Sequence, residues 1–420
     1  KLIFSNFIKR SMSKMILITN DFFPDMTTNA RLLSDVVTEF SKNCGDVEIF
    51  CSKPRKEIVE NNFFSKSSFN VNIKRFWSPN LKKSQVIGRL INSFFVCVGI
   101  FITLVFFRRK TLILVDTTSP FQGPITWISS KIRKHKYIYL ATEFYPDAAI
   151  ALGFLKKNSL VNYLWEYSNR RVYSSASYVI VIGERLRNNV ARYFEDGINE
   201  SNLVVIHNWA DTEKINPIKP KENYFRKDLG LSEKIVILYS GNLGLSHDLS
   251  TLIKAADNLR KDEKIIFLII GEGPQKIIIE SEIKKLNLSN IILMPYQSED
   301  VLPYSLSSGD FSVVTLNQSM DKLTVPSKLY PAMAAGQAII ALFSEETDIS
   351  DIVKENNAGI VVEQGDYENF AREISRLSNN KVLLNTMKDN SRKTVKEKYS
   401  KDLCVGRYIE LLESVMIENN

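Results

Sequence analysis

Short runs of β-branched and aliphatic residues alternate with segments of helical spacing, first from Met15 to Ile206 and again from Ile235 to Leu342, and this alternation limits the possible folds most. In the first series Met15 to Thr19 reads as a strand, Asn20 to Asn29 as a polar loop and Ala30 to Phe40 as a helix. Val47 to Cys51, Thr111 to Val115 and Lys136 to Ala141 follow as strands, with a helix over Gly123 to Ile132 and closing strands over Tyr178 to Ile182 and Leu203 to Ile206. The second series has strands over Ile235 to Tyr239, Ile265 to Ile270, Ile291 to Met294, Phe311 to Thr315 and Ala338 to Leu342. Helices fall over Leu249 to Leu259, Gln275 to Leu286 and around Met333, with others from Tyr367 onward. Parallel neighbours need a crossover, so strands that alternate with helices predict α/β: two Rossmann-like, doubly wound domains.

The 420 residues are enough for two cores. Periodicity breaks at His207-Asn208-Trp209-Ala210-Asp211 and stays broken to Asn223. The expected divisions are an extension over 1–14, a first domain over 15–210, a linker over 211–224, a second domain over 225–400 and a terminal helix over 401–420. Ligands of such sheets sit beyond the carboxyl ends of the strands, so the loops at Asn20, Glu143, Gly241, Gly271, Tyr296 and Ser327 are expected to face one interdomain cleft.

Charge is unevenly placed. Of the net +8, residues 1–210 hold 29 Lys+Arg against 16 Asp+Glu, and residues 211–420 hold 26 against 31. The basic first half suits an anionic partner. A second feature narrows the choice: from Leu90 to Phe107, LINSFFVCVGIFITLVFF is interrupted only by Asn92, Ser93 and Thr103 and is followed by Arg108-Arg109-Lys110. Eighteen residues stand at the lower limit for a span. Crossing would divide one α/β domain across a bilayer, so a helix lying in the interface or half buried in its domain fits better, with a core helix apolar all round as the plain alternative. With Lys82, Lys83, Arg89 and Arg108 to Lys110 on its flanks, peripheral attachment to an anionic membrane surface is expected. Nucleic acid is disfavoured, because the acidic second half repels the backbone and no base-reading module is present.

Cys44, Cys51, Cys97 and Cys404 form no C-x-x-C pair, and with three histidines a multi-His metal centre is not expected. Residues 1 to 13 are basic and apolar without a small-residue cleavage pattern, which predicts a reducing cytoplasmic location.

Chemistry is concentrated in the second half. Val325-Pro326-Ser327-Lys328-Leu329-Tyr330-Pro331-Ala332-Met333-Ala334-Ala335-Gly336 reads as a turn feeding a helix, where Pro326 fixes φ, Ser327 can cap, and the helix start with Lys328 would draw an anion. Such a site could neutralise a diphosphate leaving group. Tyr239-Ser240-Gly241-Asn242-Leu243-Gly244-Leu245-Ser246-His247-Asp248 and Gly271-Glu272-Gly273-Pro274 each follow a strand, and their glycines would admit phosphate oxygens close to the backbone.

The succession strand, GNLG, helix, strand, GEGP, helix, strand, MPYQ, strand, VPSKLYPAMAAG resembles the donor-binding half of glycosyltransferase family 4, whose architecture is called GT-B. In the first half, Met15 to Pro24 and Thr142-Glu143-Phe144-Tyr145-Pro146-Asp147 are similar to that family's acceptor-side motifs. YSGNLGLSHD, VPSKLY and HNWAD together resemble a bacterial subgroup that builds exopolysaccharide, capsule or O-antigen repeats on lipid carriers.

The resemblance implies retaining transfer from a UDP- or GDP-sugar to a polyprenyl-diphosphate-linked saccharide, with no cofactor or essential metal, on the inner face of the plasma membrane. It also implies that the final helix returns to the first domain. Gly241, Asn242, Gly244 and His247 would face the diphosphate, Gly271, Glu272, Gly273 and Tyr296 the base and ribose, and Pro326, Ser327, Lys328, Leu329 and Tyr330 the phosphates. Asn20, Asp21, Thr27, Asn29, Tyr145, Asp147, Asn208 and Trp209 would stand on the acceptor side. Glu143 is a catalytic candidate with Lys328, and it is equally readable as a cap for the following turn.

The departures are specific. Asn242 and His247 stand where many members carry Arg and Lys, Leu323 and Pro331 stand where two glutamates are usual, and Thr142 replaces a histidine. Two alternatives stay open: a sugar-nucleotide 2-epimerase of the same architecture, and a noncatalytic sugar-nucleotide-binding partner of a transferase.

Overall fold

The structure is a computed structural model that describes residues 14–25, 27–54, 70–81, 86–107, 111–194 and 200–417. It contains two compact units, Lys1–His207 with Cys404–Asn420, and Asn208–Leu403. The last helix, Lys401–Ile417, thus belongs mainly to the first unit. Asn208 and Trp209, expected on the acceptor side, fall in the second unit and are buried there. Lys82, Lys83, Arg108 to Lys110 and the extension before Lys14 lie outside the described residues.

The first unit is built on seven strands: β1 (Lys14–Ile18), β2 (Asp46–Ser52), β3 (Val71–Phe76), β4 (Leu112–Asp116), β5 (Lys136–Ala141), β6 (Tyr178–Val181) and β7 (Leu203–Val205). They form one parallel sheet in the order β3-β2-β1-β4-β5-β6-β7, with Met15 opposite Val47 and Leu112. Met15 to Ile18 and Ile113 to Val115 have no exposed surface. Strands covered on both faces read as continuous apolar runs, which is why these were legible. Edge strand β3 alternates exposed and covered residues and escapes that signal.

Chain order runs outward from β1 to β3, then returns to β4 beside β1 and continues to β7. Right-handed crossovers therefore place helices Val86–Phe106, Gln122–Arg133 and Leu160–Ser175 on one face of this sheet. The first of these packs against the second, and the second against the third.

Helix Val86–Phe106 is long and apolar enough to cross a membrane by length and composition. Both its ends feed strands of one sheet, and one face packs on the unit through Ser93, Val96, Cys97, Ile100 and Leu104. Asn92 lies on the packed side too, bonded to the Leu81 backbone at both N–H and C=O. The opposite face exposes Ile87, Ile91, Phe94, Val98, Ile102 and Phe106. A half-packed helix is what results, and the alternative of a core helix covered all round is corrected.

The second unit has six parallel strands, β8 (Ile235–Ser240), β9 (Ile265–Ile270), β10 (Ile291–Met294), β11 (Phe311–Thr315), β12 (Ala338–Leu342) and β13 (Gly359–Val362), in the order β10-β9-β8-β11-β12-β13. Ile237, Phe267, Val313 and Ile340 meet helices Ser250–Asn258 and Tyr367–Ser378 in its main core. Below this sheet lies an ion pair. Arg226 is 2% exposed and its guanidinium donates to Asp310 Oδ2 at 2.9 Å and to the carbonyls of Leu231 at 2.8 Å and Ser308 at 3.1 Å, and also to that of Lys234. Asp310 also accepts from the Val236 N–H at 3.0 Å and Lys388 Nζ at 3.2 Å, tying β8, β11 and helix Lys381–Lys398 together.

Removing one member of such a pair strands the other charge in the interior. Asp310→Ala should lower the stability of the second unit by about 3–5 kcal/mol in urea unfolding. A loss under about 1 kcal/mol would place the pair among weak surface bridges instead.

Candidate active site

The chain order of the second sheet reverses between β8 and β11, and the loops that leave those strands meet at this switch point, where sheets of this kind bind ligands. The loop after β8 carries Gly241 to His247, and the loop after β11 carries Lys328. They meet through one contact. Lys328 Nζ donates to Tyr239 Oη at 2.7 Å and lies 4.1 Å from the centre of that ring. Tyr239, itself fully buried, donates to the Asn242 carbonyl at 2.7 Å. Among the described residues no carboxylate lies within ion-pair distance of Lys328.

Although part of the Lys328 side chain reaches solvent, its ammonium is crowded by protein, and burial pushes its pKa down to about 7. His247 stands beside it with its pKa lowered to about 3, first by burial and then by the Lys328 charge. Its Nδ1 lies 3.3 Å from the Gly244 carbonyl. A carbonyl only accepts, so the proton sits on Nδ1 and Nε2 keeps a lone pair. Lys328 thus stands next to a neutral imidazole and the Gly241 backbone, where a Cβ, if present, would lie 3.4 Å from Lys328 Nζ.

The geometry explains two glycines of this region and corrects the expected cap. Gly271 and Gly273 have a structural reason of their own, because the loops after β8 and β9 press together: a Cβ on Gly271 would lie 2.0 Å from the Gly241 carbonyl oxygen, and one on Gly273 2.5 Å from that of Leu243. The contact is fixed by the Leu243 N–H to the Glu272 carbonyl at 2.9 Å and by Gln275 Nε2 to the Gly244 and His247 carbonyls. The helix after Lys328 has only six residues, Leu329–Ala334, with Lys328 itself at the cap position and no side-chain cap bond, so Ser327 does not cap it. Leu329 and Tyr330 are fully buried, Tyr330 against Tyr399, and serve the core. Pro326 is buried, Tyr296 is exposed in the loop after β10, and Glu272 pairs with Lys276 at 2.8 Å.

In the first unit the corresponding switch point lies between β1 and β4. Its loops are laced by polar bonds: Thr19 Oγ1 to Asp116 Oδ2 at 2.7 Å, the Asn20 N–H to Thr118 Oγ1 at 3.0 Å, and the Thr142 and Glu143 N–H groups to Thr117 Oγ1 at 3.0 Å each. Asp116 has no exposed surface, and burial raises its pKa to about 7 against the hydrogen bonds of Thr118 and Thr19. Sequence reasoning missed it, since a lone Asp at a strand end carries no pattern. Asn20 Nδ2 donates to Asp21, and Thr27 caps helix Thr28–Asn43, whose second residue is Asn29.

Glu143 is solvent-exposed and accepts from Tyr145 Oη at 2.8 Å. Crowding by protein pushes its carboxyl upward in pKa, against the Tyr145 hydrogen bond and the Arg89 charge. Tyr145 stacks on Trp165 at 5.7 Å, and its carbonyl accepts from Asn169 at 2.6 Å. Asp147 is paired with Arg192.

The Lys328 arrangement sets a pH dependence of stability. Its pKa near 7 in the folded protein compares with 10.5 for the free side chain, so between those values the folded state has released a proton that the unfolded state keeps. Stability therefore rises with pH across that window and is lowest below it. Lys328→Met should stabilise the unliganded second unit by about 2–4 kcal/mol near neutral pH, allowing for partial solvent screening, with the gain shrinking toward about pH 10. Urea unfolding across pH measures this; a variant less stable at every pH contradicts it.

Comparison with known proteins agrees with this geometry. The family model described as glycosyl transferases group 1 matches residues 221–394. The "Probable glycosyltransferase WbjE" of Pseudomonas aeruginosa is 24% identical over 351 residues, covering 82% of this chain and 85% of that protein. WcaI of Escherichia coli (strain K12), named for colanic acid biosynthesis glycosyl transfer, is 24% identical over 361 residues, covering 83% and 88%. Among solved structures, Anabaena Alr3699/HepE in complex with UDP and glucose superposes with a TM-score of 0.71 at 13% identity, covering 96% of this chain and 100% of that one. With two parallel sheets and residues 221–394 matching the group 1 model, the chain is a glycosyltransferase with the GT-B fold and is similar to members of glycosyltransferase family 4.

Proposed function

We propose that this enzyme transfers a sugar, with retention at the anomeric carbon, from a UDP- or GDP-sugar to a polyprenyl-diphosphate-linked saccharide during assembly of a bacterial surface polysaccharide such as O-antigen or capsule. The observation that carries the donor half of this reading is Lys328, a cation without a carboxylate at the β8–β11 switch point. A diphosphate supplies the missing counter-charge. As the bond between the anomeric carbon and the diphosphate oxygen breaks, its electron pair goes to the diphosphate, and Lys328 with the Gly241 loop stabilises the charge that builds there. The new bond forms to the acceptor hydroxyl, whose proton passes to the departing phosphate oxygen or to Glu143.

His247 and Asn242 contribute hydrogen-bonding groups rather than charge. The chemistry requires no bound metal when Lys328 carries the neutralising role. HepE structures named with UDP and UDP-glucose, and relatives named for colanic acid and lipopolysaccharide biosynthesis, support the donor class and the pathway class. The exposed apolar face of helix Val86–Phe106 supports peripheral attachment at the inner leaflet, where a lipid-linked acceptor would be found.

The test is nucleotide release from a panel of UDP- and GDP-sugars with and without an extract of polyprenyl-linked saccharides. Release should depend on the extract, and Lys328→Ala should reduce it at least about tenfold, equivalent to roughly 1.4 kcal/mol of transition-state stabilisation. Unchanged turnover in the variant would remove Lys328 from the mechanism, and isomerisation of the donor without acceptor would favour an epimerase.

A further inference from the structure

Helix Leu160–Ser175, like helix Val86–Phe106, leaves a row of large apolar side chains exposed. Its packed side holds Asn162 and Asn169 with Val172 and Tyr173, while Leu160, Val161, Tyr163, Leu164 and Tyr167 are exposed, Leu160 by 72% and Tyr163 by 68%. Phe154, 60% exposed, precedes it. Between these two helices lies Gln122–Arg133, which packs against both and exposes Ile128 and Ile132. All three stand on one face of the first sheet. Exposed large apolar side chains thus stand on three neighbouring helices of one face, more than the scattered single residues of an ordinary surface.

The charge on this surface identifies what covers it. Segments 86–107, 121–134 and 152–175 contain eight Lys and Arg residues, among them Arg89, Lys156, Lys157, Arg170 and Arg171, and one acid, Glu166. A second copy docked through the same patch would set uncompensated positive charge against itself. An anionic lipid surface matches both the apolar and the basic parts, and Tyr and Trp side chains near the patch suit the interface between head groups and acyl chains.

One edge of the surface meets the acceptor loop. Tyr145 stacks on Trp165 and accepts from Asn169, both on helix Leu160–Ser175, while the Arg89 charge, from the first turn of helix Val86–Phe106, acts on Glu143 and Tyr145. The Glu143 loop is therefore fastened to one helix of the face.

We propose that helices Val86–Phe106, Gln122–Arg133 and Leu160–Ser175 form a single docking surface for an anionic bilayer, with Leu160–Ser175 as a second anchor and the Glu143 loop at its rim. This deepens the peripheral-membrane reading above and rests on it. A lipid-borne acceptor would then reach Glu143 while its carrier stays in the leaflet.

The experiment is sedimentation of the full chain with vesicles of equal parts phosphatidylglycerol and phosphatidylcholine, together with hydrogen exchange on the bound protein. The triple variant Leu160→Gln, Leu164→Gln and Tyr167→Gln, whose sites are exposed, should bind at least about tenfold more weakly. Exchange in wild type should slow in both 86–106 and 160–175. Protection of 86–106 alone, with wild-type binding by the triple variant, overturns the second anchor. Protection of these helices by self-association without vesicles also overturns the proposal, in favour of a second copy. Vesicle binding needs no donor, so its failure is distinguishable from failure of the transfer reading, which the nucleotide-release assay reports separately.

Discussion

An ammonium held against a phenol with no carboxylate to share its charge is unfavourable to keep in a folded protein, and the candidate donor site is organised around that arrangement. Lys328 reaches Tyr239 because β11 lies beside β8, and its ammonium ends close to the Gly241 backbone. His247 stays neutral under the combined effect of burial and the same lysine. The loops keep this shape because the backbones after β8 and β9 touch where Gly271 and Gly273 allow it. In the proposed donor complex the diphosphate relieves the lysine's isolation, and it does so most as charge moves onto the leaving oxygen.

The first unit stores its unusual features differently. Its switch point is a neutral-to-acidic crest of Thr19, Asp116, Thr117 and Glu143, joined by side-chain bonds, and among the described residues no cation is bonded directly to Asp116. Beside the crest, helices Val86–Phe106 and Leu160–Ser175 each pack a mixed apolar and polar side on the unit and leave a row of aliphatic and aromatic residues outward. Each exposed large side chain forgoes the free energy of burial. The arrangement makes sense when the outward face has a partner of its own.

Much of this was legible in the residues, and the failures have physical causes. The buried strands of both sheets read directly, because parallel strands covered on two faces need unbroken apolar runs. Strand β3 did not, since VNIKRF at an edge alternates, and helix Leu160–Ser175 did not, since its apolar residues mark a surface and its core side carries Asn162 and Asn169. Lys328 was found from a turn-and-helix motif, yet the capped helix behind that reading is only six residues long, and the contact that places the lysine comes from Tyr239, a strand residue read as core. Gly271 and Gly273 show a deeper ambiguity: a glycine that lets a phosphate approach and one that lets another loop approach look the same in sequence. Asp116, the most buried carboxylate at the first switch point, has no sequence signal at all.

The central claim, that Lys328 waits for an anionic diphosphate, is tested most directly by calorimetry of UDP binding at about pH 8 in two buffers of different ionisation heat. The account predicts that binding takes up a proton, because the diphosphate restores the ammonium that burial had neutralised, and that Lys328→Met binds more weakly without this uptake. Tight binding with no proton exchange, or the same uptake in the variant, would contradict it.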